Sequence, residues 1–124
     1  LRGDSGTQGS SGEQGSSTEI RGFPAAKGVV EGTAKVILSV TDVSKVEPGD
    51  ILVCGGTTTE WTPVFGIIAA CVCDTGGSLT HAAIVSREYG IPGVVGCRDA
   101  TSRIADGTRV EVNGSTGEVR VLSP

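Results

Sequence analysis

The sequence lacks several features that large classes of protein depend on. Its 124 residues include one Trp, one Tyr, two Phe, one His and no Met. So few aromatic rings argue against stacking platforms for bases or sugars. The basic residues are scattered and the net charge is −4, which argues against nucleic-acid or membrane-surface binding. No apolar run has the length of a membrane span and no signal peptide is visible, so we expect a cytoplasmic protein.

The beginning of the chain predicts a linker that joins this domain to others. Residues 1–19 are nearly all Gly, Ser, Thr, Gln and charged residues, a composition that cannot bury enough surface to offset its ordering entropy. We therefore expect a flexible linker over residues 1–19 and one folded domain over residues 20–124. The start at Leu1 and the absence of Met suggest a piece of a longer polypeptide.

The four cysteines form no recognisable metal or redox motif. Cys54, Cys71, Cys73 and Cys97 make no CxxC pair, and their spacing resembles no zinc ribbon or finger. Cys71 and Cys73 would share one face of a strand, where neighbouring side chains cannot bond without distorting the backbone. We interpret all four as small buried residues in a reducing compartment, and we expect no metal site.

The apolar pattern predicts many short strands and one substantial helix. Residues 29–38, 51–54, 67–73 and 94–96 are typical of strands, and residues 108–112 and 118–122 of a hairpin with its turn at Asn113-Gly114. Residues 81–89 are typical of a helix that Gly90 ends, and residues 22–28 of a loop. This order indicates a layered α/β domain, α+β-like in its β-rich character.

The only histidine follows a Gly-Gly turn and opens the predicted helix. Free backbone N–H groups and the positive end of the helix dipole gather at such a position and favour an anion. An imidazole is also a nucleophile. An anion site beside a nucleophile predicts that His81 carries a phosphoryl group.

Several neighbours of His81 are candidates for holding that phosphoryl group. Gly76 and Gly77 lack a Cβ, so their backbone can approach a phosphate and present its amides. Ser78 or Thr80 can cap the helix, and either hydroxyl can donate to a phosphoryl oxygen. Further candidates for support are Thr75, and Arg87, which lies about 120° around the helix from His81. Arg87 is equally well explained as a cation stabilised by the helix C-terminus.

Other chemistries fit the sequence less well. Acyl transfer lacks a nucleophile elbow, because no GxSxG motif occurs. Acid–base hydrolysis lacks a second marked group. A metal-dependent hydrolase would need more ligands than one His and scattered thiols supply.

Residues 75–92, with the sequence TGGSLTHAAIVSREYGIP, carry a family resemblance. They resemble the signature of the mobile, swivelling phosphohistidine domain of PEP-utilising enzymes. That family includes pyruvate phosphate dikinase, pyruvate water dikinase (PEP synthase), rifampicin phosphotransferase and enzyme I of the sugar phosphotransferase system. The likeness extends to nearly all of the chain after the predicted linker.

The resemblance implies a three-layer β/β/α domain that moves between two distant active sites. His81 falls on the phosphorylated histidine of the family, with transfer at Nε2. A nucleotide-binding domain of ATP-grasp type would supply the phosphoryl group from ATP and Mg²⁺, and a separate domain would bind the acceptor. The chain would then be the phosphocarrier of a dikinase-type phosphotransferase, inactive without those domains and itself binding no cofactor.

The resemblance leaves three points open. The parent could resemble PEP synthase or rifampicin phosphotransferase, or the domain could be a non-catalytic docking or regulatory relic of the fold. Thr80 stands where many relatives have Ser or Cys and keeps the hydroxyl. Some relatives place a hydroxyl near the histidine from a second loop, and the resemblance does not choose among its four threonines here: Thr57, Thr58, Thr59 and Thr62.

Overall fold

A computed structural model of the protein describes residues 19–123, with side chains as far as Leu122. The predicted linker therefore lies outside the described residues except for Glu19, which is already the first residue of a strand. In the described part the chain forms eight strands: β1 (Glu19–Arg21), β2 (Phe23–Ala26), β3 (Val29–Val36), β4 (Ile51–Cys54), β5 (Ala70–Cys73), β6 (Gly93–Val95), β7 (Arg109–Asn113) and β8 (Glu118–Ser123).

The helices of the described residues lie in the connections between strands. The main helix α1 (His81–Tyr89) has the bounds that the sequence predicts, and a shorter helix α2 (Ala100–Arg103) follows β6. Two 3₁₀ helices, Val40–Lys45 and Thr59–Gly66, precede β4 and β5. None of these helices has the length and apolarity that crossing a bilayer requires.

The strands form one continuous order with two parts that meet along β3: residues 29–33 pair with β7 in the antiparallel part, and residues 34–36 pair with β4 in the parallel part. The strand order is β1-β8-β7-β3-β4-β5-β6-β2. The parallel part consists of β3, β4, β5 and β6. Strand β2 pairs with β6 in the antiparallel direction, and β7 pairs with β3 in the antiparallel direction. The β7–β8 hairpin and β1 extend the antiparallel side.

The two faces of the parallel strands belong to two separate cores. Along β4, Ile51 and Val53 enter one cluster, while Leu52 and Cys54 enter the other, as the alternation of side chains in a strand requires. The first cluster includes residues of the antiparallel strands, namely Ile20, Val110, Val112 and Val119. The second includes residues of α1 and the second 3₁₀ helix, namely Ala82, Ala83, Val85, Trp61 and Phe65. Antiparallel strands, parallel strands and helices therefore form three layers, and the predicted β/β/α class is confirmed.

Several local predictions are wrong. Residues 23–26, predicted as loop, form the edge strand β2, where Pro24 is tolerated because an edge strand needs fewer backbone donors. The strand predicted over residues 67–73 begins at Ala70, since Ile67 ends the preceding 3₁₀ helix. The hairpin turn spans residues 114–117, because the Asn113 side chain accepts from the amides of Ser115 and Thr116.

The parallel strands direct the loops of interest to one edge. The loop after β4 and the loop after β5 lie side by side: the amide of Asp74 donates to the carbonyl of Cys54 at 3.0 Å, and that of Thr75 to the carbonyl of Gly55 at 3.0 Å. On the other side, the amide of Gly96 donates to the carbonyl of Thr75 at 3.2 Å. Helix α1 begins at this edge, so three loops and a helix start converge there.

Candidate functional site

The imidazole of His81 is held by two hydroxyl groups at the edge of the sheet. The Oγ1 atom of Thr57 lies 2.7 Å from Nδ1 of His81, and the Oγ1 atom of Thr62 lies 3.2 Å from its Nε2. Phe65 presents its ring nearly perpendicular to the imidazole, with 6.1 Å between the ring centroids. The ring is half-buried, so its position and orientation are fixed while part of it remains accessible.

Both hydroxyls come from the segment between β4 and β5. Thr57 belongs to the loop after β4, whereas Thr62 and Phe65 lie on the second 3₁₀ helix. Trp61 and Phe65 are buried in the core beneath α1 and anchor this helix. The packing of Trp61 and Phe65 therefore sets the position of the Thr62 hydroxyl.

Only two of the four loop threonines reach the histidine. Thr58 is the residue that precedes the second 3₁₀ helix, and Thr59 is the first residue of that helix. Both are exposed. The fold thus resolves the question that the resemblance leaves open, in favour of Thr57 and Thr62.

The glycine turn before α1 has the open geometry that an anion needs. Gly76 has a φ of +113°, and a Cβ placed there would lie 2.9 Å from the Oγ1 atom of Thr80. A Cβ at Gly77 would meet no atom within 4 Å. The turn therefore depends on glycine at position 76 and leaves free space at position 77.

Thr80 is the N-cap of α1, but its hydroxyl does not cap the helix amides. It donates to the carbonyl of Gly77 at 2.8 Å and so closes the glycine turn. The amides of the first helical turn are left without a side-chain cap from Thr80, in the position where an anion is favoured. In this structure the Thr80 hydroxyl holds the glycine turn, and its predicted contact with a phosphoryl group stays a prediction.

The other predicted supporting residues are placed away from the imidazole. The hydroxyl of Thr75 donates to the carbonyl of Gly55 at 2.8 Å, which ties the loop that carries Thr57 to the glycine loop. Ser78 is exposed and is not the N-cap. Arg87 lies in the last turn of α1, where its Nε donates to the carbonyl of Ala25 at 2.7 Å.

All four cysteines of the chain are free and buried. The Sγ atom of Cys73 lies 3.6 Å from those of both Cys54 and Cys71, in the core cluster that also includes Phe65 and α1 residues. Hydrogen bonds from Cys71 and Cys73 lower the pKa of Cys54 to about 5, and the bond to Cys54 raises the pKa of Cys73. Burial raises the pKa of Cys97 to about 12. Within the described residues no group of three metal-ligating side chains is placed to hold an ion.

Comparison with known proteins places this site in a family. The sequence model described as "PEP-utilising enzyme, mobile domain" matches residues 46–117, which include His81, Thr57, Thr62 and Phe65. Rifampicin phosphotransferase of Bacillus cereus is 48% identical over 83% of the chain, and phosphoenolpyruvate synthase of Aeropyrum pernix is 48% identical over 81%. Chondramide synthase of Chondromyces crocatus is 51% identical over 84%.

The chain spans only a small part of these relatives. It covers 12% of the rifampicin phosphotransferase and of the phosphoenolpyruvate synthase, and 3% of the chondramide synthase. Among solved structures, an enzyme I protein matches 64% of the chain at 30% identity with a TM-score of 0.57, covering 33% of that protein. The N-terminal domain of enzyme I of the nitrogen system matches 82% of the chain and 93% of its own length, with a TM-score of 0.66 at 14% identity.

Proposed function

The chain belongs to the family of PEP-utilising enzyme mobile domains, and from that premise we propose that it carries a phosphoryl group on His81 between two other domains. The observation that supports this proposal is the pair of hydroxyl contacts on the imidazole, at Nδ1 and at Nε2. They hold the only histidine of the chain at a helix start with uncapped amides, where a nucleophile meets an anion-favouring environment.

The two contacts have different roles in the proposed transfer. For Nε2 to attack phosphorus its lone pair must be free, so the proton of the neutral ring must lie on Nδ1. Nδ1–H then donates to Thr57 over the shorter distance of 2.7 Å and fixes the tautomer. The longer contact from Thr62 opens as Nε2 forms the bond to phosphorus. The bond from phosphorus to the donor oxygen breaks, and that oxygen leaves with the electron pair.

The surroundings of Nε2 are suited to the negative charge of the phosphoryl group. The first-turn amides of α1 and the backbone of Gly76 and Gly77 would stabilise the phosphoryl oxygens. The freed hydroxyl of Thr62 would donate to one of them. The open space beside Gly77 admits a group of this size.

The reaction requires partners that this chain does not contain. The rifampicin phosphotransferase and the phosphoenolpyruvate synthase are each about seven times as long as the chain, which supports a multidomain phosphotransferase as its parent. We propose that a nucleotide-binding, ATP-grasp-like domain phosphorylates His81 from ATP with Mg²⁺, and that an acceptor domain then receives the phosphoryl group. Residues 20–124 would be the carrier and residues 1–19 its linker, apart from Glu19, which begins β1, and the location would be cytoplasmic. Phosphoenolpyruvate synthase and rifampicin phosphotransferase support two parents equally well, since both are 48% identical.

A chemical phosphoryl donor tests the site without the other domains. We expect potassium phosphoramidate to add one phosphoryl group to the full chain, with the acid-labile and alkali-stable behaviour of phosphohistidine. Because the chain has one histidine, His81→Ala should remove this product completely. Label retained in that variant would contradict the assignment of His81.

A second measurement separates a carrier from a docking relic. The nucleotide-binding domain of the parent polypeptide, mixed with this chain, labelled ATP and Mg²⁺, should label His81. If phosphoramidate labels the chain but this complete system does not, the domain is a relic and the carrier proposal fails.

A further inference from the structure

Three buried thiols lie together in the core cluster that also includes Phe65 and have no part in the proposed transfer. Cys54 is the last residue of β4, and Cys71 and Cys73 lie on the neighbouring strand β5. We call these three residues the thiol cluster. The Sγ atoms of Cys54 and Cys73 are 3.6 Å apart, as are those of Cys71 and Cys73. This proximity raises the question of which pair could form a bond.

The register of the sheet favours one pair. Cys54 and Cys73 are direct partners on adjacent strands. Their Cα atoms are therefore separated by the interstrand spacing of about 4.8 Å, which lies within the range that disulfides span. Cys71 and Cys73 are two residues apart on one strand, about 6.6 Å along it, and their Cβ atoms point in the same direction. A bond between them would require the strand to distort.

The same pair has complementary reactivity. Hydrogen bonds from the thiols of Cys71 and Cys73 lower the pKa of Cys54, so Cys54 is the more acidic member of the pair. The pKa of Cys73 is raised, so it remains a protonated neighbour. Both residues end their strands, and the residues after Cys54, Gly55 and Gly56, are exposed. We take this exposed glycine segment as the route by which a small oxidant reaches the buried pair.

We propose that Cys54 and Cys73 form a reversible disulfide when the protein meets hydrogen peroxide. The sulfur of Cys54 attacks a peroxide oxygen and the O–O bond breaks, giving a sulfenic acid and one water. The sulfur of Cys73 then attacks that of Cys54, the S–O bond breaks, and a second water leaves with the thiol proton. Two thiols are oxidised and one peroxide is reduced to two waters.

The disulfide would change the hydroxyl that holds His81. The two sulfur atoms must approach from 3.6 Å to a bonding distance of about 2 Å, which moves the ends of β4 and β5. Thr57 follows Cys54 by three residues, and its loop is tied to Thr75, two residues after Cys73. We therefore expect the 2.7 Å contact between Thr57 and His81 to lengthen. This consequence rests on the proposed function, whereas formation of the disulfide does not.

Peptide mapping of the full chain tests the disulfide directly. The chain is treated with peroxide, its free thiols are blocked, and it is cleaved by trypsin and a glutamate-specific protease without reductant. Cleavage after Glu60 separates Cys54 from the other members of the thiol cluster. We expect a Cys54–Cys73 linked peptide, loss of two of the four alkylatable thiols and recovery of both with dithiothreitol. Cys71→Ala and Cys97→Ala should keep the link, whereas Cys54→Ala and Cys73→Ala should lose it.

Four retained thiols in the peroxide-treated wild type, or a link to Cys71 or Cys97, would overturn the proposed site. Fragmentation of the linked peptide shows whether Cys71 or Cys73 carries the blocking group, so this result does not depend on whether any variant folds.

The effect of the disulfide on phosphorylation of His81 is measured in a separate experiment. With the donor domain and ATP, the oxidised chain should accept label about tenfold more slowly than the reduced chain. Dithiothreitol should restore the rate of the wild type. Peroxide should leave the labelling rate of Cys73→Ala unchanged. An unchanged rate in the linked protein would refute control of His81 by the thiol cluster. If the reduced wild type accepts no label, the proposed function fails while the mapped disulfide stands.

Discussion

The two ends of helix α1 are built in opposite ways. At its C-terminal end Gly90 takes the left-handed conformation with φ +70°, and the amides of Gly90 and Ile91 donate to the carbonyls of Arg87 and Ser86. The Arg87 side chain adds a bond to the carbonyl of Ala25 in β2. The polar groups at this end are paired within the protein, as a stable helix terminus requires.

The N-terminal end has less internal pairing. The hydroxyl of Thr80 donates to the carbonyl of Gly77, so the amides of the first turn receive no side-chain cap from Thr80. Gly76, whose φ of +113° favours glycine, lies in the turn before this end. The contrast teaches that one helix serves two purposes: its C-terminal end holds the fold together, and its N-terminal end keeps donors available for a ligand.

The largest effect should come from adding one methyl group to the glycine turn. Gly76→Ala forces a φ of +113° on a residue with a Cβ and brings that Cβ to 2.9 Å from the Thr80 hydroxyl. Such strain costs about 1–3 kcal/mol, so the turn should rearrange. We expect labelling of His81 by the donor domain to slow about a hundredfold. Gly77→Ala is the matched control for stability, because its Cβ meets no atom within 4 Å. Equal urea midpoints for the two variants would contradict the strain at position 76.

A smaller loss should follow removal of the hydroxyl at Nδ1. Thr57→Val keeps the shape of the side chain but removes the 2.7 Å contact to His81. A hydrogen bond of about 1.4 kcal/mol corresponds to a tenfold slower transfer. The rate with labelled ATP measures it, and Thr59→Val is the control because Thr59 does not contact the imidazole. If both variants react at the wild-type rate, Thr57 does not fix the tautomer.

The C-terminal end should respond in stability alone. Gly90→Ala places a Cβ in the left-handed conformation and should lower the free energy of unfolding by about 1 kcal/mol. Urea unfolding measures the loss. Phosphoramidate should label His81 at the wild-type rate, and a slower reaction would show that the two ends of α1 are coupled.

The smallest effect should come from Arg87. Arg87→Gln removes the bond to the carbonyl of Ala25 and should lower the free energy of unfolding by about 0.5–1 kcal/mol. Arg120→Gln is the matched control, because its exposed ion pair with Glu111 contributes little. Loss of labelling at His81 in Arg87→Gln would show that Arg87 contributes to the candidate site.

The sequence predicts the parts of the fold that local chemistry decides. The bounds of α1 follow from Thr80, from the left-handed Gly90 and from Pro92 beyond it, all signals within a dozen residues. The edge strand β2 could not be read in this way. Its partner β6 lies about seventy residues away in the sequence, and Pro24 argues locally against a strand.

The candidate site shows the same division. The position of His81 beside a glycine turn is legible in the sequence. The choice of Thr57 and Thr62 is not, because they meet the imidazole across 24 and 19 residues of chain. That choice depends on the buried side chains of Trp61 and Phe65, which set the path of the second 3₁₀ helix.

The antiparallel layer of β1, β7 and β8 contributes no residue to the candidate site. Its outward side chains form exposed ion pairs, such as that between Arg120 and Glu111, which substitution can replace at little cost. Substitutions on this outward face should therefore change the surface that the domain presents to its neighbours without changing the edge that holds His81. A domain divided in this way can be joined to very different polypeptides, and segments similar to it occur in a phosphoenolpyruvate synthase and in a chondramide synthase.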